Sequence, residues 1–255
     1  MNKRTAIVAG GTSGIGLAVA NLLAESGHRV AVGSRRIPAS QRREQLGHDV
    51  EETALVQHLD VGCGDSIDRF VRIVTERLGT PQILVNAAGI YRETFLGEGD
   101  SANWFEQIDV NLSGPYRMIR AVFPGMIRSG WGRIVNIAST AASTGAPGYA
   151  GYCASKAGLV GLTRAVSKEG APHGINCVSI SPTWVETPMM ERALQRHVLN
   201  RDIDIEQARA NVTDSNPQGR VVQPGEIAAI VAFCCSEAAP ALTNEDIQVN
   251  AGADW

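Results

Sequence analysis

The chain reads as an α/β protein on one doubly wound parallel sheet, and three observations predict that class. Short apolar runs alternate with amphipathic stretches along the chain, the pattern of right-handed βαβ units. The first run, Thr5-Ala6-Ile7-Val8-Ala9, is β-rich and apolar, as expected of a strand buried on both faces. It leads directly into Gly10-Gly11-Thr12-Ser13-Gly14-Ile15-Gly16 and a helical pattern through Leu17, Ala20, Leu23 and Ala24. Glycines at such a junction permit a tight turn, bring backbone N–H groups to a pyrophosphate and let the helix pack closely.

The remaining elements follow in order. Strands are expected over 29–33, 54–59, 83–86, 133–138, 176–181 and 246–250, making seven with the first. Helices are expected over 66–78, 102–129, 150–171 and 224–236. No repeat, linker or low-complexity stretch interrupts them, so a chain of 255 residues with 44% apolar content is expected to form a single domain. One segment breaks the rhythm. Residues 189–219 carry mixed charge (Glu191, Arg192, Arg196, Arg201, Asp202, Asp204, Glu206) and are too long for an ordinary connection. They are expected to form a helical flap; a solvated helical hairpin is the alternative.

Charge and composition exclude several classes. The net charge is -3 and the basic residues are scattered, apart from Arg35-Arg36 and Arg42-Arg43, which argues against a nucleic-acid surface. No apolar run reaches membrane-spanning length. With the first strand at residue 5, no leader peptide is expected, which points to the cytoplasm. The five cysteines include no Cys-x-x-Cys pair and read as buried or semi-buried thiols in a reducing compartment. The five histidines form no chelating pair, so no metal site is expected.

Tyr152 and Lys156 stand four positions apart, one turn along a single helix face. An ammonium ~6 Å from a phenol at an effective dielectric of ~20 is worth ~3 kcal/mol, or about two pKa units. That would move tyrosine, with a reference pKa near ~10, toward the range useful for general acid–base catalysis.

Taken together, the glycine loop, Asn86-Ala87-Ala88-Gly89, Asn111, Ser139, Tyr152 with Lys156, and the run from Pro182 to Pro188 resemble the short-chain dehydrogenase/reductase family over essentially the whole chain. The resemblance implies a Rossmann-type, seven-stranded parallel sheet flanked by helices. It implies that Tyr152 is the general acid of ketone reduction and that Ser139 holds the substrate carbonyl. Lys156 would lower the phenol pKa and bind the nicotinamide ribose, while Asn111 would hold a water linking the lysine to solvent. A serine at 139 on its own would read as a helix cap, and Asn111 inside an apolar helix demands a specific partner. Tyr149, one turn earlier, has Cys153 rather than a lysine four residues on, and is assigned to substrate or loop packing.

The same resemblance assigns a cofactor cradle. Gly10, Thr12, Ser13, Gly14, Ile15 and Gly16 would hold the pyrophosphate. Asp60, with Val61, would take the adenine; a turn aspartate is the alternative. Asn86, Ala87, Ala88 and Gly89 would belong to the cofactor site, Asn86 tying its strand to the neighbouring strands while Ala88 and Gly89 let the backbone approach the adenine ribose. Pro182, Val185 and Thr187 would fix the nicotinamide so that the pro-S hydride transfers. Three positions depart from the family pattern: Ala9 in place of threonine, Ala87 in place of asparagine and Thr183 in place of glycine.

Dinucleotide folds that take NAD place an acid at the end of the second strand. Here that position is Ser34, followed by Arg35 and Arg36. Arg35 can pair with a 2′-phosphate, and Arg36 either stacks on adenine or is solvated, so NADP(H) is expected. The leading function is an NADP(H)-dependent ketone reductase resembling 3-oxoacyl-carrier-protein reductases and the ketoreductases of aromatic polyketide synthesis. A secondary-alcohol or sugar dehydrogenase and a non-catalytic dinucleotide-binding regulator are the alternatives. Arg128, Arg133 and Arg192 are candidate docking residues for a carrier-linked substrate. Family analogy implies a homotetramer, or else a dimer, paired through 102–129, 150–171 and the last strand.

Overall fold

A computed structural model describes residues 3–37, 54–97, 101–201 and 203–253. The expected Arg42-Arg43 cluster lies outside them. The seven strands are β1 (Thr5–Ala9), β2 (Arg29–Ser34), β3 (Ala54–His58), β4 (Pro81–Asn86), β5 (Gly132–Ile137), β6 (Ile175–Pro182) and β7 (Asp246–Val249). They form one sheet in the order β3-β2-β1-β4-β5-β6-β7, and every pairing is parallel. The order reverses between β1 and β4, which places a crevice at their carboxyl ends.

Alternation along each strand divides the apolar residues between two faces. On one face Ala6, Val8, Val30, Val32, Val85 and Ile180 pack against Val19 and Leu23 of α1 (Gly14–Glu25) and Ile227 and Val231 of the C-terminal helix Pro224–Cys235. On the other, Ile7, Ala9, Ala31, Leu84 and Ile134 pack against Phe70 and Val74 of α2 (Gly64–Leu78) and Met118 and Met126 of the helix that precedes β5. Apolar burial on both faces explains why the central strands read as nearly unbroken hydrophobic runs.

The helix expected over 102–129 is divided. It begins as α3 (Ala102–Ile108), widens into a π turn over Asp109–Ser113, and resumes as α4 (Gly114–Ser129). The interruption falls on Asn111, whose amide is fully buried and bonded outside its own helix. Next come α5 (Ala150–Gly170), α6 (Pro188–Arg201), α7 (Ile205–Asp214) and α8 (Pro224–Cys235). In the span 189–219, α6 and α7 enclose a small core of Met190, Leu194, Ala208, Val212 and Val221, with Trp184 against it. Among the described residues no helix is long and apolar enough to cross a membrane. Cys63 is exposed, contrary to the expectation of buried or semi-buried thiols, because it stands at the N-cap of α2.

Candidate active site

Parallel pairing in register brings the loops after β1, β2, β4, β5 and β6 to one edge of the sheet. The Gly10 N–H donates to Gly33 O at 2.7 Å and the Ala87 N–H to Ala9 O at 2.9 Å, so the β1 turn is held between its neighbours. Gly10 has φ +83, and a Cβ there would lie 2.6 Å from Ala88 N. A side chain on Gly16 would overlap the Gly10 carbonyl. Ser13 is the N-cap of α1 and makes no side-chain cap bond, leaving Thr12, Ser13 and Gly14 around the helix N-terminus. Ile15 reaches the cavity wall.

Ser34 ends β2 beside this turn, and Arg35 and Arg36 follow it exposed. After β3, Asp60 Oδ1 accepts from Gly62 N at 2.9 Å, an Asx turn. Val61 turns its side chain into the core against Gly114, while its carbonyl accepts from Arg117, itself paired with Asp109 at 2.7 Å. Asn86 is structural in its bonding: its Nδ2 donates to Asn136 Oδ1 at 2.8 Å, and Asn136 passes the tie to Thr163 on α5. Ala88 is packed against Gly10, and Gly89 faces both Asn111 Oδ1 and Lys156 Nζ.

Ser139, Tyr152 and Lys156 converge on one cavity of about 580 Å³. Ser139 follows β5, caps a short 3-10 turn by accepting from Ala141 N at 3.1 Å, and hydrogen-bonds the Tyr152 phenol. The Lys156 Nζ lies 5.7 Å from the Tyr152 ring centroid and donates to Ile137 O at 2.7 Å. Burial lowers its pKa to about 8. The sequence expectation of a depressed phenol is reversed: burial pushes Tyr152 up to about 12, and the Ser139 bond offsets only part of that. Desolvation of the would-be phenolate is the largest cause of the shift. Asn111 ties three elements together, accepting from Ile90 N at 2.8 Å and donating to Ile90 O at 2.9 Å and Ser155 Oγ at 3.1 Å.

The loop after β6 closes the cavity's far side. Pro182 ends the strand, the buried Val185 bridges to Val222, and Thr187 Oγ1 bonds Val185 O at 3.1 Å and receives Met190 N at 3.3 Å. Thr183 donates to Asn216 Oδ1 at 3.2 Å, and Asn216 donates to Arg220 O at 2.8 Å. The departure from glycine thus pins the loop to the segment that follows α7.

Some residues of the site were not singled out from the sequence. Tyr91 packs on Tyr149 with ring centroids 4.7 Å apart and stands edge-on to Tyr152 at 5.4 Å. Arg196 of α6 covers the Tyr91 ring at 5.0 Å. Phe95, Trp184 and Met189 complete the apolar wall. The available signal was the position of Tyr91, two residues beyond Gly89 in a loop that ends at the sheet edge. Two candidate docking residues are excluded by position: Arg133 is buried at the start of β5, stacked on Trp131 at 4.3 Å, and Arg128 sits at the end of α4. Both belong to the amino edge of the sheet, opposite the cavity. Arg192 is exposed on α6.

Comparison with known proteins agrees with this geometry. Residues 9–254 match the family profile described as Enoyl-(Acyl carrier protein) reductase. The chain is 36% identical to the acetoacetyl-CoA reductase of Allochromatium vinosum, over 98% of each. It is 33% identical to the 3-oxoacyl-acyl-carrier-protein reductase of Vibrio cholerae, over 99% of this chain and 98% of that one. A crystal structure of a variant actinorhodin polyketide ketoreductase with NADPH superposes with a TM-score of 0.91 at 36% identity, covering 98% of this chain and 97% of that one.

Proposed function

The chain belongs to the short-chain dehydrogenase/reductase family, and from that premise we propose that it reduces a ketone to a secondary alcohol with NADPH. The observation that carries the reading is the meeting of Ser139, Tyr152 and Lys156 on the wall of one cavity, at the edge where the glycine turn also ends.

The chain fits a nicotinamide dinucleotide. Close backbone approach at Gly10 and Ala88, an uncapped helix N-terminus at Ser13, and Gly89 facing Lys156 leave a cradle that side chains would fill. Thr12, Ser13, Gly14, Ile15 and Gly16 would hold the phosphates, Asp60 and Val61 the adenine, Asn86 to Gly89 the ribose, and Pro182, Val185 and Thr187 the nicotinamide. When bound, the reduced nicotinamide supplies a hydride to the carbonyl carbon. The residues of the chain do the rest. Ser139 and Tyr152 hold the carbonyl oxygen, and the phenol, kept protonated by burial, delivers its proton as negative charge develops there. Lys156 stabilises the phenolate left behind. Asn111 acts as a positioning residue, anchoring α5 through Ser155, the residue before Lys156.

Ser34 in place of an acid, with exposed Arg35 beside it, supports NADP(H) over NAD and hence the reductive direction. The flap over 189–219 is read as the substrate cover. Steady-state NADPH oxidation with a panel of ketones and β-ketoesters tests the reading. Tyr152→Phe is expected to lower kcat by roughly 10²–10⁴-fold; equal rates in wild type and variant would overturn the proposal. Arg35→Asp is expected to shift the NADPH:NADH ratio of kcat/KM toward NADH by about tenfold or more, since a charge-assisted pair is lost and repulsion gained. An unchanged ratio would remove Arg35 from the cofactor site.

A further inference from the structure

A second pocket of about 300 Å³ lies against the main cavity. The two share a wall made by Phe95, Gly145, Ala146, Pro147, Tyr149 and Cys153. The annex adds Leu96, Gly148 and Ala150, so its lining carries no charged side chain. Of its two hydroxyls, the one on Thr94 is already bonded, accepting from Gly151 N at 2.8 Å, and the other belongs to Tyr149 in the shared wall.

Phe95 stands at the boundary. Its ring lies so close over Gly148 that a Cβ there would meet ring carbons at 2.9, 3.1 and 3.3 Å. The loop that carries it is anchored at Thr94, whose N–H donates to Gly148 O at 2.8 Å. Phe95 is 47% exposed, which gives its side chain space to rotate outward while its backbone stays in place.

We propose that Phe95 is a specificity-determining partition, and that the annex behind it receives the apolar part of the substrate distal to the reacting carbonyl. This rests on the reading of the main cavity as a ketone site, and it deepens that reading. The class it selects is a 3-oxoacyl or aryl ketone with a sizeable apolar substituent, as opposed to a short or anionic one. Each methylene that enters such a pocket is worth about fourfold in affinity, so a long chain displaces the ring once several carbons gain cover.

The test uses methyl 3-oxoalkanoates of four and ten carbons as substrates and the matching 3-hydroxy esters as ligands in calorimetry. The readout is the long-to-short ratio of kcat/KM and, separately, of affinity. Phe95→Ala is expected to raise both ratios by about tenfold, and Phe95→Trp to lower them. Ala150→Phe, which fills the annex from the helix side, is expected to cancel the gain when combined with Phe95→Ala. That double variant separates annex occupancy from mere loosening of the loop. Unchanged ratios across the series would overturn the proposal. A shift in the affinity ratio with no ketone reduced by any form would support the annex and overturn the ketone-reductase reading instead.

Discussion

Lys156 carries a cost in stability that its proposed role in catalysis explains. Its ammonium is buried with one protein partner, Ile137 O, and its pKa falls from the ordinary 10.5 to about 8. The folded protein therefore binds fewer protons here than the unfolded chain between pH 8 and 10.5, so stability rises with pH across that window. The cost is fully present below pH 8 and amounts to about 3 kcal/mol. Lys156→Met removes it but leaves the Ile137 carbonyl unpaired, at about 1–2 kcal/mol. The variant is expected to melt about 2–4 °C higher at pH 7, to lose that margin by pH 10.5, and to be inactive. Scanning calorimetry of cofactor-free protein at the two pH values checks this; a variant less stable at pH 7 would remove the buried charge as the cause. Residues of this kind were legible in the sequence because Tyr152 and Lys156 share one helix face and Ser139 ends an apolar run. Tyr91 and Arg196 were not, since a loop and a helix 105 positions apart along the chain meet only through the fold. The direction of the Tyr152 shift was misread for a related reason: spacing reveals a cation one turn away but not the depth of burial, which is the largest cause of the upward shift.

Among the elements, the strands were the easiest to place, because burial on both faces leaves an apolar run with sharp polar ends. The division of 102–129 was hidden, because the π turn answers to Ile90 and Ser155, distant in sequence from Asn111. The loop after β6 shows the same dependence on remote partners. Its conformation is set by Thr183 N bonding to Val249 O at 3.3 Å, Val222 N to Trp184 O at 3.1 Å and Glu186 N to Val222 O at 2.9 Å, with the Thr183 hydroxyl joining Asn216. Thr183→Gly restores the family residue but removes that hydroxyl bond and frees the unfolded chain, together about 1–2 kcal/mol. The expected outcome is a lower denaturant midpoint at unchanged m, with faster amide exchange confined to 182–187 and 216–222. KM for ketone is expected to rise more than kcat falls, since the loop would hold ligand without touching the reacting atoms. Global acceleration of exchange would show that the hydroxyl supports the core and not the loop.

At the scale of the whole molecule, the outer surface bears apolar groups that neither the cavity nor the two sheet-face cores use. Phe105 on α3 and Tyr116 on α4 are 64% and 50% exposed, and Phe233 on α8 is 50% exposed. On α5, Ala157 and Gly161 present a small, open outer face, and a Cβ on Gly161 would meet nothing within 4 Å. Small residues allow close helix approach, and exposed aromatic rings favour association. Both fit the tetramer that family analogy implies, paired through the α3–α4 and α5 faces and through the last strand, β7, and we propose that Phe233 of α8 belongs to the second of these surfaces. A tetramer so paired has separable interfaces, which sets the last prediction. Wild type is expected to sediment at four chain masses at micromolar concentration. Phe105→Glu with Tyr116→Glu should halve that mass by breaking one two-fold, and Phe233→Glu should halve it by breaking the other. The triple variant should fall to a monomer with an unchanged far-ultraviolet spectrum, because all three side chains face outward and support no core of the single chain. Halving by only one of the two surfaces would reduce the assembly to a dimer, and a wild-type monomer active in ketone reduction would detach the assembly from the chemistry altogether.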